Sequence, residues 1–579
     1  MEFSEDAAVF LVAGTRALHT EGDQLAARRW FDAAYRAAEQ SSDALVMARA
    51  ALGFAGLWVH EHRTSASAAV LRARLRRSLA LIDPGCPEAL RIRLRLAAEA
   101  DFRVGGQTVL ALLPDSDPEA LALVHHSQRS PDQLELRRDL AEDLLGGAVS
   151  RTDLLMGLLA RATDGFLVGD PHAGRVLREL TEALDEDNHL AIRYVTEAIG
   201  VMCTIRAGRL EEAEQLARQC YEHGRKAGHS DASAWFGAQM VTIRWYQGRL
   251  PELLPMLTEY VDMPGLSAAD NSPLAVLALA SATVGERWTA KCLLATLTDL
   301  PRSDTWLVTL YGVVETAHVL GDKDMAARAY SLLEPYADLP MIVGLGAACF
   351  GPVHHALGVA SLTVGDVERA AGHFRAAIDR SLALGHVPAV LAAQQRLASA
   401  SEAGRVTCTR HDRGWRVEWC GRAVHVDHSV GMLHLAALTA NPNTEVTAID
   451  LVAGLDPRAQ ATGTSQHVLD RTAIQRYRHR LTELGDEIDR LEASGDTDQA
   501  ATVRAERDWV LAELGAGTGL GGRTRTFTDE QERARLAVGK AIRRAVTLIE
   551  RVDEPLGAHL RETVHTGLRC WYRPDGSTG

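Results

Sequence analysis

Residues 356–378 read ALGVASLTVGDVERAAGHFRAAI, and this stretch decides the fold of the larger part of the chain. Leu357, Gly358, Gly365, Ala370, Phe374 and Ala377 are spaced so that two short helices fold back on each other across a glycine turn. Small residues at Gly358, Ala370 and Ala377 let the two backbones approach closely. The ring of Phe374 fills the groove between them.

The turn glycine, with a small and a bulky residue five and nine positions later, recurs in degenerate form. It is found as Gly22, Ala27, Phe31; Gly208, Ala213, Ala217; Gly248, Leu253, Leu257; Gly285, Ala290, Leu294; and Gly321, Ala326, Tyr330. From Gly208 to Gly365 the glycines stand 40, 37, 36 and 44 residues apart, a helix-pair period that resembles tetratricopeptide repeats. Between residues 41 and 200 the phase blurs, yet segments such as 175–188, RVLRELTEALDEDN, keep helical spacing. Residues 1–400 are therefore expected to form a tetratricopeptide-like α-solenoid. Its concave face would bind an effector, either a small molecule, a peptide or a protein partner. The plainer alternative is an array that spaces and dimerises its neighbour. No binding residues follow from the repeats, because repeat-defining positions are core positions.

The 579-residue chain is too long for one core, and 46% hydrophobic with 24% charged residues is the balance of a folded globular protein. Eight cysteines lie scattered without a CxxC pair, which reads as reduced thiols. The start, MEFSEDAAVFLV, lacks the basic opening of a signal peptide, and no apolar run reaches the roughly 18 residues of a membrane helix. A cytoplasmic protein is expected. Four lysines among 62 basic residues, with abundant alanine, fit a GC-rich bacterial genome. The net charge of −14 divides into −12 over residues 1–400 and −2 over 401–579. An acidic body excludes nucleic acid wrapping along its whole length, so any DNA contact must be local.

After residues 399–406, SASEAGRV, the periodicity changes. In 414–426, GWRVEWCGRAVHV, Trp415, Val417 and Trp419 alternate on one face, the chain turns at Cys420-Gly421, and Val424 and Val426 return. A helix follows over HSVGMLHLAALTANPN with Val430, Leu433 and Leu438 on one face. A short strand about Glu445-Val446 and a second helix, TAIDLVAG, come next. This is how a winged helix of the response-regulator type begins. Residues 457–527 then intervene. Ile474, Tyr477, Leu481, Leu484, Ile488 and Leu491 alternate by three and four before SGD turns the chain into TDQAATVRAERDWVLAEL. An inserted antiparallel coiled-coil hairpin is expected there, either a packing prop or an arm that would support a homodimer.

Thr528 and Gln531 form a capping box for a helix over about 529–552. At 100° per residue, Val538, Ile542, Val546 and Ile549 fall within about 80°, and Arg533, Lys540, Arg544, Thr547 and Arg551 within about 60° on the opposite side. Six basic residues in 533–551 face a single acid, Glu550. Such a stripe suits phosphates and guanine edges, although basic stripes also occur as plain solvated faces. The tail 559–576, HLRETVHTGLRCWYRPDG, reads as two short strands about His565-Thr566-Gly567. Arg569 and Arg573 lie near the turn, and Trp571 or Tyr572 packs inward. Helix plus wing gives the expected DNA-binding set: Arg533, Lys540, Arg543, Arg544, Thr547, Arg551, His565, Arg569 and Arg573.

Residues 300–337, LPRSDTWLVTLYGVVETAHVLGDKDMAARAYSLLEPYA, the run VGLGAACFGPVHHALG, and the tail from GMLHLAALTANPNTEVTAIDL through LGGRTRTFTDEQERARLAVGKAIRRA to HTGLRCWYRP carry a resemblance. They are similar to tetratricopeptide-containing transcription regulators of the actinomycete type, over roughly residues 200–579. The resemblance implies regulation of transcription and supplies no catalytic residue. Many members carry an ATPase or cyclase module. This chain has no GxxxxGK[ST], and its one GxGxxG, Gly517–Gly522, follows a helix instead of a strand, so it reads as a hinge.

His60-Glu61-His62, His125-His126, His354-His355 and the set Cys420, His425, His428 lack zinc spacing with a fourth ligand, so no metal or other cofactor is expected. No GxSxG, HExxH or matched carboxylate pair points to catalysis. The expectation is a mainly α protein: the solenoid over 1–400, then a small α+β winged-helix domain over 405–579 that binds double-stranded DNA. The competing expectation is a protein-interaction scaffold whose arginine stripe meets an acidic protein.

Overall fold

The computed structural model describes residues 2–101, 107–113, 117–186, 188–261, 270–297, 300–411, 414–420, 422–453, 503 and 527–574. These are mainly helical, and the chain divides into two compact units, Met1–Ala398 and Ser399–Gly579.

In the first unit, helices follow one another and pack on their sequence neighbours. The stretch quoted above forms helices Val353–Val364 and Val367–Ala383. Gly365 between them has φ 104°, a left-handed turn open to glycine, and Asp366 caps the second helix by accepting the Arg369 N–H at 3.0 Å. A Cβ on Gly358 would stand 2.6 Å from the buried Phe374 ring, so the close approach requires glycine there. The other turn glycines, Gly22, Gly208, Gly248, Gly285 and Gly321, share the positive φ. Where the phase blurs, the described residues are still mainly helical, and Ala173–Glu186 contains most of the 175–188 segment.

Among the described residues of this unit, one β element interrupts the helices. Strands β1 (Pro340–Val343) and β2 (Ala348–Pro352) form an antiparallel hairpin with Ile342 opposite Cys349 and Val343 opposite Ala348. Every residue of both strands is buried, against helices that include Leu190–Arg206, Ala232–Tyr246 and Trp306–Leu320. Burial on both faces removes the polar alternation that marks a half-exposed strand, so the periodicity of the sequence does not reveal it.

The second unit opens with an antiparallel sheet of β3 (Thr407–His411), β4 (Gly414–Trp419) and β5 (Arg422–Asp427), in which Trp415 faces Val426 and Val417 faces Val424. The expected hairpin is β4–β5, turning through Cys420 at φ 48°. Polar β3 is an addition to the expected elements.

Helix Val430–Ala440 is capped by Ser429 and buries Gly431, Met432, Leu435 and Leu438, whereas Val430 and Leu433 are only half-buried. Its apolar residues run around most of the circumference, which hides the core-facing side from a periodicity argument. Strand β6 (Val446–Thr447) and helix Ala448–Ala453 follow. The expected hairpin and glycine hinge over 457–527 lie outside the described residues, save for helical Val503 and Phe527.

The long helix runs Phe527–Val552, so Thr528 already lies within it instead of capping it. Helix Glu554–Thr563 comes next, where the sequence pattern leads straight into a strand. Asp553 caps it by accepting the Leu556 N–H at 2.9 Å, with Pro555 in the first turn. Strands β7 (Val564–His565) and β8 (Arg569–Tyr572) close the unit in a second sheet ordered β6-β8-β7. One core gathers Trp415, Val417, Met432, Leu435, Val538, Ile542, Ile549, Leu560 and Tyr572.

Candidate nucleic-acid interface and a cavity in the first unit

The long helix is divided lengthwise. Val538, Ile542, Ala545, Val546 and Ile549 are buried, and Arg533, Lys540, Arg543, Arg544, Thr547 and Arg551 are exposed. The helix is fixed from behind by close contacts: Gly431 lies against the backbone carbonyl of Ala541, and Gly557 against Glu550.

Two acids on this helix are already engaged. Glu532 accepts from Arg535 at 2.9 Å, and Glu550 pairs with Arg561 on the following helix. Among the described residues no carboxylate pairs with Arg533, Lys540, Arg543, Arg544 or Arg551. The result is five exposed cations, without a carboxylate partner among the described residues, along about 27 Å of helix, a length that follows from the 1.5 Å rise per residue.

The β7–β8 turn adjoins this stripe, because a Cβ on Gly539 would sit 3.6 Å from Thr566 Oγ1. Tyr572 is the inward aromatic residue. Its hydroxyl accepts the Val406 N–H at 2.7 Å, and burial pushes the phenol up to about 12. Trp571 stays at the surface, stacked on His565 with centroids 4.1 Å apart, and the Arg573 guanidinium lies 5.1 Å from its ring.

Arg569 and Arg573 differ from the stripe. Both pair with Glu445, at 3.0 Å and 3.7 Å. No spacing in the sequence points to Glu445, since its place beside them depends on Val446 pairing with Cys570 and Thr447 with Arg569. The structure thus groups the expected residues as an exposed helical stripe (Arg533, Lys540, Arg543, Arg544, Thr547, Arg551), in which the Thr547 hydroxyl donates to the Arg543 carbonyl at 2.9 Å, and a tethered hairpin (His565, Arg569, Arg573).

The first unit holds a cavity of about 360 Å³ that no motif announces. Trp235, Tyr260, Val308 and Phe350 line its apolar side, and Arg63, Arg129, Asp231, Asp270 and Asp304 bring charge to it. Arg63 pairs with Asp231, and Arg129 with Asp304 at 3.0 Å. Burial would raise Asp231, but Arg63, His229 and Arg129 outweigh it and hold the carboxyl below its usual range. Trp235 is fixed by stacking on Tyr194 at 5.4 Å. These residues come from helices and loops far apart in sequence, and no local spacing could have grouped them.

Among the described residues no group of three or more His, Cys, Asp or Glu side chains is placed to hold a metal, and no helix is long and apolar enough to cross a membrane. His125, for example, bonds Asp164 at 2.7 Å, and Arg137 also binds that carboxylate, forming a buried ion network. No protein-family model matches this chain, and no curated protein matches it.

Proposed function

We propose that the protein is a cytoplasmic, non-enzymatic transcriptional regulator of the tetratricopeptide type. Residues 405–579 act as a winged-helix-like domain on double-stranded DNA, and residues 1–400 act as an α-solenoid receptor for an effector. The observation that carries this reading is the row of exposed cations on the long helix, left without carboxylate partners among the described residues in a chain of net charge −14. A helix fits the major groove, where arginines contact phosphates and guanine edges, and the adjoining hairpin suits the neighbouring backbone or minor groove.

The test is the mobility of duplex genomic fragments from around the protein's own gene with the full chain, at two salt concentrations. Discrete shifts are expected. With five cations on phosphates, the logarithm of affinity should fall against the logarithm of salt with a slope of roughly −4 to −5.

The second reading, a scaffold that binds an acidic protein, draws on Leu536 and Leu548. These are 53% and 41% exposed on the same helix, and an apolar partner would cover them. Absence of any salt-sensitive shift selects it.

A further inference from the structure

We propose that the cavity in the first unit is a receptor site for a small organic cation, an amine on an apolar or aromatic body, with Asp270 as its counter-ion. This deepens the receptor part of the function proposed above and rests on it.

Two carboxylates of the cavity, Asp231 and Asp304, are already matched by Arg63 and Arg129. Asp270 is not. Its Oδ1 accepts three bonds, from the Ser272 N–H at 2.9 Å, the Ser272 hydroxyl at 2.7 Å and the Thr305 hydroxyl at 2.9 Å. These donors fix the carboxyl's orientation and leave Oδ2 without a donor among the described residues. Among those residues no cation pairs with Asp270, and the preceding segment 262–269, DMPGLSAA, contains no basic residue.

A carboxyl partly withdrawn from water and without a cation is costly, and here burial pushes it above its usual range against the help of Ser272 and Thr305. An ammonium supplied by a ligand restores the balance. The remaining wall suits such a ligand, because Trp235, Tyr260 and Phe350 contribute aromatic side chains, a residue type that attracts cations and apolar rings. The volume, about 360 Å³, lies within the range of small-molecule sites. With Arg63 and Arg129 matched, an ionised Asp270 leaves the cavity one negative charge in excess, which favours a cationic ligand over an anionic one.

The experiment is calorimetric titration of the full chain with three probes of similar length: 2-phenylethylamine, 2-phenylethanol and 3-phenylpropanoate. The amine is expected to bind with a dissociation constant of millimolar order, as suits a ligand of this size. It should bind at least about tenfold more tightly than the alcohol, with the acid weakest. Asp270→Asn should erase the preference while still binding the alcohol. Equal binding of alcohol and amine, an acid that binds best, no saturable amine binding, or an Asp270→Asn protein that keeps the preference would each overturn the proposal. If that variant does not fold, the ranking of the three probes on the unaltered chain decides the matter. Because no DNA is present, the outcome is independent of whether the second unit binds DNA.

Discussion

Glu445 holds Arg569 at 3.0 Å, so a carboxylate on the strand edge occupies a cation that the proposed interface would otherwise offer to phosphate. Arg573 shares the same carboxylate at 3.7 Å. Glu445→Gln is expected to tighten DNA binding about threefold at low salt, with a steeper salt slope. Thermal stability should move by less than about 0.5 kcal/mol, because Arg569 is largely exposed. Fluorescence anisotropy on a labelled duplex measures the first effect and a melting curve the second.

Gly431 meets the backbone of Ala541, which cannot withdraw without moving the long helix. Gly431→Ala should destabilise the second unit by about 2 kcal/mol or more and abolish DNA binding with it. Gly372 is the contrast: it is exposed in helix Val367–Ala383, and a Cβ added there would meet nothing within 4 Å. Gly372→Ala should therefore stabilise by about 0.5–1 kcal/mol. Urea titrations of both variants check the opposite signs.

Acid should loosen both units. Burial pushes His229, His386 and His434 down to about 4, and His355 to about 3, so the folded chain keeps them neutral where the unfolded chain takes up protons. Their contribution is complete above the unfolded value near 6.5 and is lost as pH falls from there toward 4, and toward 3 for His355. His434 stands in the core of the second unit, and His434→Leu is expected to return roughly 1–2 kcal/mol at pH 5 relative to pH 7. Chemical denaturation at the two pH values measures the difference.

The repeat-bearing residues are legible in the sequence because their geometry is local. Gly358 and Phe374 lie on two helices joined by one turn, and sequence spacing fixes their meeting. The two faces of the long helix are legible for the same reason, since Val538, Ile542 and Ile549 recur at helical intervals opposite Lys540, Arg544 and Arg551.

Features set by long-range pairing are not legible. The β1–β2 hairpin is buried on both faces, Glu445 reaches Arg569 through a strand pair 124 residues apart in sequence, and Asp270 bonds Thr305 across 35 residues. The apolar helix Val430–Ala440 is evident from its residues, but its core side, through Met432 and Leu435, is set by the helix packed against it.

The most direct test of the central claim compares the full chain with the Lys540→Ala, Arg544→Ala double variant on a duplex shifted by the parent, across a salt series. Both residues are exposed and unpaired among the described residues, so the fold and melting temperature should persist. The account predicts weaker binding to every sequence and a salt slope shallower by about two, one for each lost phosphate contact. Unchanged affinity and slope in a folded double variant would contradict it.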